Sequence, residues 1–398
     1  NEDNKNIYQI DSCEVCGSKK LTDVLSLGLQ PMCDDLIPTE SKLICKEYPI
    51  DIIFCEKCNT AHQKWQINKE ILFPQEYHYR ARMTSSVINF MREFCNNVHD
   101  FSPIKENSVV VDVGCNDGSL LNFFKIKGCK TYGLEPTGAF LEAKKKGHQV
   151  LNNYFDNKTS KILKDKIKKI DVITFTNVFA HIENFKELIA SLKNLITKET
   201  LIVVENHYLG EVIKKNQFDT FYHEHPRTYS LNSFFFISKI LNMNIVKYEF
   251  VKRYNGNIRV FLHANKSSFK ERKLKQDLKN EKKLIKKVSL FQKKIDKWKI
   301  VKKDYFNNLS KKFGPIPAKA FPGRASILIN LLNLSNKNIS NVYEKDASLK
   351  VNKYIPGTNI KIVKEKFFRK KERDKRKIIN LAWHISGEIR SYLKQKMN

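Results

Sequence analysis

The sequence predicts an α/β protein built on a largely parallel sheet, and three features predict it. Short apolar runs, DVITFTNV, LIVVENH and NIRVFLHAN, alternate with helical stretches such as FKELIASLKNLI, the pattern left by strand–helix–strand units. The stretch VVVDVGCNDGSLLNFF, Val109 to Phe124, runs from an apolar strand through two glycines into helical periodicity. Its turn falls at the carboxyl edge, where such sheets bind ligands. Two Cys-x-x-Cys pairs stand ahead of all this, so a small metal-binding segment is expected before the sheet.

At 398 residues the chain is too long for one simple core, and two or three domains are expected. No apolar run reaches the roughly 18–20 residues that cross a membrane, and the opening NEDNKNIYQ has no secretory pattern, so a soluble, cytoplasmic protein is expected. The net charge of +30 would ordinarily suggest nucleic acid as partner. The charge is mostly Lys, however, scattered through nearly every segment beside Asn and Ile, which reads as a composition bias and argues against a designed patch. The densest run, FKERKLKQDLKNEKKLIKKVSLFQKKIDKWK, carries Leu274, Leu278, Leu284, Ile285, Leu290 and Ile295 at near-helical spacing, so it predicts one long helix with a solvated Lys face.

Of the nine cysteines, Cys13 and Cys16 form one pair and Cys55 and Cys58 the other, with 38 residues between them. Each short turn presents two sulfurs on one side of an ion, and four thiolates suit tetrahedral Zn²⁺. A full set of four leaves no coordination position for water, which predicts a structural site and a zinc that takes no part in chemistry. Cys33 and Cys45, lying between the pairs, are spare candidates.

In D-V-G-C-N-D-G, Asp112 ends the strand and Gly114 and Gly118 bracket the turn. The spacing lacks the three-glycine dinucleotide pattern and disfavours a nicotinamide. Glycine lets a ligand approach the backbone at a helix start whose free N–H groups attract a carboxylate. The next strand, CKTYGLEP, ends in Glu135, placed to accept hydrogen bonds from two ribose hydroxyls. Together these features resemble the class I S-adenosylmethionine-dependent methyltransferases with their Rossmann-like sheet. The resemblance implies cofactor contacts at Asp112, Gly114, Asn116, Gly118, Glu135 and Asn177.

FDTFYHEHPRTYS crowds Tyr222, His223, Glu224 and His225 together, a density costly to bury unless it does chemistry. Methylation at carbon requires a proton to leave carbon, hence a base, whereas a thiol or amine acceptor needs much less. A histidine with a neighbouring glutamate can supply that base, and a tyrosine can donate to a developing enolate oxygen.

Taken together, CEVC with CEKC, EYHYR, VDVGCNDGSLL, NVFAHIENF, FDTFYHEH, NGNIRVF, PAK and YIPGT resemble the bacterial C-methyltransferases acting on nucleotide-linked 4-keto-6-deoxyhexoses. The resemblance implies a zinc-binding domain over 1–75, a cofactor-binding methyltransferase domain over 76–266 and a C-terminal α/β domain over 267–398 that helps hold the sugar nucleotide. It implies His225 as the base at C3, Tyr222 and His181 near the keto sugar, Glu224 positioning His225, and Tyr77 or Tyr79 lining the site. GPIPAKAFPGRASILIN departs from the small-residue turn of that family, with Lys319 and Gly323 standing before an apolar helix. YIPGTNIKI and LAWHISGEIRSYL predict further strand and helix.

The expected partner is therefore a small nucleotide sugar, with neither membrane nor nucleic acid. Oligomeric state is not legible. Sugar O- or N-methylation shares the cofactor fold and is the alternative, with nucleic-acid methylation more remote. TNVFAHI stands where an Asn/Asp-Pro-Pro-Tyr motif would mark methylation of a planar nitrogen.

Overall fold

The computed structural model describes residues 6–73, 85–266, 270–367 and 377–397. The chain forms two compact units that interleave along the sequence. Unit 1 takes residues 1–22, 53–212 and 225–286, and unit 2 takes 23–52, 213–224 and 287–398. The segment 23–52, which lies between the cysteine pairs, thus belongs with the C-terminal third. Among the described residues no helix is long and apolar enough to cross a membrane.

Unit 1 holds a seven-stranded sheet of β1 (Val109–Val113), β2 (Lys130–Leu134), β3 (Gln149–Leu151), β4 (Val172–Thr176), β5 (Leu201–His207), β6 (Asn244–Val251) and β7 (Asn257–His263). Their order across the sheet is β6-β7-β5-β4-β1-β2-β3. Strands β1 to β5 pair in parallel, while β7 runs antiparallel to both β5 and β6. That order, with β7 inserted against the run of its neighbours, is the class I methyltransferase arrangement. It follows from the sequence: β5 reads LIVVENH and is buried along its whole length, as a strand covered on both faces must be.

Side chains cap the crossover helices at their starts. Asp156 accepts from Thr159 N at 2.8 Å ahead of Asn157–Lys166, and Asn184 accepts from Glu187 N at 3.0 Å ahead of Phe185–Leu195. Each satisfies one of the amides that a helix start leaves open. One buried cluster joins Ile173, Phe175, Phe179, Val204, Tyr229 and Phe234 with Cys13, Val15, Cys55 and Cys58. The cysteine segment therefore shares the core of the sheet.

Unit 2 holds a second sheet of β8 (Ile316–Lys319), β9 (Ile339–Glu344), β10 (Lys353–Tyr354), β11 (Lys361–Lys364) and β12 (Ile379–Asn380), ordered β10-β11-β9-β8-β12. The links β8–β9, β8–β12 and β9–β11 are parallel, which agrees with the α/β layer expected there. The helix Ala325–Leu331 covers it with Ala325 and Ile329 in its core.

The lysine-rich run is three helices, Glu271–Glu281, Leu284–Val288 and Phe291–Phe313, where one was expected. At the first break stands the Glu281 carboxylate, which accepts from Leu231 N at 2.9 Å, Asn232 N at 2.7 Å and the Tyr208 hydroxyl at 2.8 Å. These contacts hold the end of the first helix at the start of the helix Leu231–Ile240, and a few residues later the chain leaves unit 1 for unit 2. Periodicity records which face is apolar, and it carries no information about where a rod must end.

Deep in unit 1, Glu205 accepts from Arg259 Nε at 2.8 Å and lies 2.7 Å from Arg259 Nη2, with both residues fully buried. Asn257 Nδ2 and Arg253 Nη1 complete the set at 3.2 and 3.4 Å. Removing one partner of a buried pair strands a charge in a poor solvent. Arg259→Met should therefore cost about 3–5 kcal/mol and lower the first thermal transition. Arg259→Met combined with Glu205→Gln should recover part of the loss, as read by differential scanning calorimetry.

Candidate active site and metal centre

The sulfurs of Cys13, Cys16, Cys55 and Cys58 all lie within 4.8 Å of one another, with Cys13 to Cys58 at 3.4 Å and Cys16 to Cys55 at 3.5 Å. A tetrahedron with metal–sulfur bonds of about 2.3 Å has edges of about 3.8 Å, so the donor set fits zinc. The two turns are built alike. Gly17 N donates to Cys13 O and Asn59 N to Cys55 O, and both residues take the left-handed conformation, φ 69° and 57°, that Gly and Asn adopt at least cost. Thr60 Oγ1 lies 3.0 Å from Cys58 Sγ and His62 Nε2 lies 3.3 Å from Cys13 Sγ, the outer contacts that steady metal-bound thiolates. Cys33 and Cys45 are engaged elsewhere, with Ser326 and with Asp35 and Gly357.

Between the first two cysteines, Glu14 carries a carboxylate that burial would push up. The Arg227 guanidinium outweighs that, with His62 and Gln66 adding to it, and holds the group down at about 2.

The residues expected to hold a cofactor gather at the carboxyl edge of the sheet. The Glu135 carboxylate accepts from Asn116 N at 2.9 Å on one oxygen, and from Thr137 N at 2.9 Å and the Thr137 hydroxyl at 2.6 Å on the other. It is thereby oriented before any ligand arrives. Gly118 precedes the helix Ser119–Ile126 with φ 75°. Asn177 follows β4 with φ 56°. Its Nδ2 and the neighbouring Thr176 Oγ1 are buried with no hydrogen-bond partner among the described residues. Two such orphaned atoms beside a glycine turn fit a polar cofactor.

Gly114 also has a reason within the protein itself. A Cβ there would stand 2.5 Å from Val178 Cγ2, so the protein itself excludes a side chain before any cofactor does. Gly118 is constrained in the same way by His148 and Ala143.

Asp112 is buried and accepts from Thr174 Oγ1 at 2.7 Å. Burial, followed by the nearby Glu135 charge, raises its carboxyl to about 7 against that hydrogen bond.

His181 follows β4, His207 ends β5, and His225 opens the last segment of unit 1. The structure gathers all three. The His225 ring centroid is 4.5 Å from that of His181 and 5.4 Å from that of His207, and His207 is 5.4 Å from Tyr254. His207 is absent from the sequence expectations because LIVVENH reads simply as a strand; its position at a parallel strand's carboxyl end was the available signal. Asn206 was missed too. Its amide is buried with neither atom partnered among the described residues.

Tyr222, His223 and Glu224 fall in unit 2, the division lying at the next peptide. His223 bonds the Tyr48 carbonyl at 3.0 Å, and burial lowers its imidazole to about 4, so it is a neutral structural group. The start of the same segment is gripped hard: Arg324 reaches the two oxygens of Asp219 at 2.8 and 2.9 Å and Thr220 Oγ1 at 2.7 Å, while Trp383 Nε1 donates to Asp219 at 2.8 Å. Lys319 pairs with Glu365 at 2.9 Å. Tyr77 and Tyr79 lie outside the described residues.

The sheet order is that of the class I methyltransferase fold, and the four sulfurs beside it form a closed donor set that fits zinc. Three family models match it in order: a zinc binding domain over residues 13–73, a methyltransferase domain over 80–236 and a C-methyltransferase C-terminal domain over 253–398. The three matches follow one another along the chain, with none reaching half of its length. It is similar to C-methyltransferase NovU of Streptomyces niveus, with 27% identity over 257 residues, 64% of this chain and 61% of that protein. The match thus spans less than two thirds of that relative's length. Solved structures resemble it in part. A SAM-dependent methyltransferase from Archaeoglobus fulgidus is 16% identical over 43% of this chain and 93% of its own, with a TM-score of 0.35. The PH0226 protein of Pyrococcus horikoshii OT3 is 10% identical over 49% and 97%, with a TM-score of 0.37.

Two expectations follow from this geometry. A carboxyl whose folded pKa is raised binds its proton more tightly when folded. Asp112 therefore contributes stability to the ligand-free protein that is lost as pH climbs from about 4 to about 7, whereas the buried, neutral His223 contributes the opposite trend over much of that window. Asp112→Asn should remove the Asp112 contribution, so its melting temperature relative to the wild type should rise between low and neutral pH. Gly114→Ala should overpack the loop at a cost of about 1–3 kcal/mol and weaken cofactor binding. Val178→Ala in the same chain should relieve the crowding and leave the smaller penalty of the positive φ, a separation calorimetric titration can resolve.

Proposed function

We propose that the protein methylates carbon, at C3 of a nucleotide-linked 4-keto-6-deoxyhexose, with His225 as the base. The observation that carries this reading is the cluster of three imidazoles at the carboxyl edge of β4 and β5, because only a carbon acceptor requires a proton to be taken from carbon. The C-methyltransferase match over 253–398 supports the same acceptor.

His225 removes the C3 proton, which the adjacent C4 ketone acidifies by delocalising the electron pair onto its oxygen. Tyr222, with His181, donates to that oxygen as charge develops. Glu224 orients His225 from the preceding position. Asp112, Asn116, Glu135 and Asn177 with the Gly114–Gly118 turn hold the cofactor. S-adenosylmethionine, when bound, supplies a sulfonium methyl that the enolate carbon takes, with the neutral thioether leaving. Positioning the reactants contributes most, and the base adds roughly 10²–10⁴-fold. The partner is a small nucleotide sugar, and the scattered lysines neutralise no particular polyanion.

His225→Asn should abolish C-methylation and C3 exchange in D₂O while keeping affinity for S-adenosylmethionine, since the cofactor residues lie on other loops. The product is read by NMR after incubation with 4-keto nucleotide sugars. A methyl on oxygen, or full C-methylation by His225→Asn, would sink the reading.

A further inference from the structure

Arg227 is a fully buried guanidinium two residues after His225, and its partners lie in two places that matter. Nη1 donates to Glu14 Oε2 at 2.7 Å and to the Glu183 carbonyl at 3.0 Å, Nη2 donates to the Ile182 carbonyl, and Nε donates to the Tyr229 hydroxyl at 3.0 Å. Ile182 and Glu183 directly follow His181. Glu14 stands between the zinc ligands Cys13 and Cys16, and is also held by Gln66 Nε2 at 2.8 Å.

The backbone repeats the connection. Arg227 pairs with His62 and Thr228 with Ala61 in an antiparallel bridge, and Gln63 N donates to the Pro226 carbonyl at 2.8 Å. His62 closes the ring, with Nε2 3.3 Å from Cys13 Sγ and Nδ1 3.4 Å from Glu14 Oε2. One side chain thus ties the metal turn to the residues following His181 and to the strand following His225.

We propose that Glu14 and Arg227 are positioning residues that set the spacing of His181 and His225 from the zinc turn, so that the metal centre governs the geometry of the base as well as local stability. The zinc remains outside the chemistry. Its four bonds make the Cys13–Cys16 turn rigid, and the Glu14 carboxylate carries that rigidity to the guanidinium. The proposal rests on the reading of His225 as the base. A planar fork with several donors can fix carboxylate and carbonyls at once.

The test uses the zinc-loaded full chain labelled with ¹³C-histidine, its resonances assigned by single substitutions. Glu14→Gln keeps the shape of the side chain and removes its charge. It should retain about one zinc per chain and unchanged cofactor affinity, yet shift the His181 and His225 resonances together. The turnover number should fall roughly 10–100-fold, as loss of an outer contact commonly costs, with KM for S-adenosylmethionine unmoved. Tyr229→Phe, which removes only the acceptor of Nε, should move the same two resonances by less, and Arg227→Lys should move them by more. Chelating zinc from the wild type should shift them too. Unshifted resonances in zinc-loaded Glu14→Gln, or shifts seen only when zinc is lost, would overturn the proposal. A wild type that methylates no 4-keto sugar would overturn the proposed reaction alone, because the resonance shifts need no substrate.

Discussion

Four sulfurs from two turns 38 residues apart must meet at one point, and much of unit 1 is arranged around that demand. The turn after Cys58 runs into Ala61 and His62, which pair with the strand leaving His225. The Cys58 carbonyl lies 3.4 Å from the hydroxyls of Ser230 and Ser233 at the next helix start. The cysteines sit in the same buried cluster as Phe179 and Tyr229. A chain that fails to close the metal site therefore loses wall material from the core beneath its histidines, as well as an N-terminal ornament.

A second theme is how a chain of net charge +30 treats the charges it buries. Glu205 with Arg259, Glu14 with Arg227 and Asp219 with Arg324 are close hydrogen-bonded pairs built with arginine, and Lys319 with Glu365 is a similarly buried pair built with lysine. Lysine, the abundant cation here, stays mostly at the surface. The division is physical: the guanidinium fork can satisfy several acceptors after leaving water, whereas a strongly hydrated ammonium pays more for leaving it. Abundance set the surface, and geometry set the interior.

The order of the sheet and the residues at its carboxyl edge fit the chemistry read from them. Strand ends β1, β2, β4 and β5 deliver Gly114, Glu135, Asn177 and His207 to one rim. Each arrives on a different strand, so the sheet's regular spacing does the aligning and the loops need only hold orientation. Glu135 illustrates this, since both its oxygens are already pinned by backbone N–H groups.

Sequence alone determined what local pattern encodes: the alternation of strands and helices, the two sulfur turns, the glycine loop with its following acid, and the dense FDTFYHEH segment. Hydrophobic period and short-range spacing are properties of a few consecutive residues, so they survive without coordinates. Only the tertiary structure decided that residues 23–52 fold with the C-terminal third, that Gly114 answers to Val178, and that the lysine-rich run breaks where Glu281 is held. The same is true of His207 joining His181 and His225, and of Arg227 reaching back more than two hundred positions to Glu14. These are contacts between residues far apart in the chain, chosen by how buried charge and apolar volume can be satisfied together, and no periodicity in the sequence records that choice.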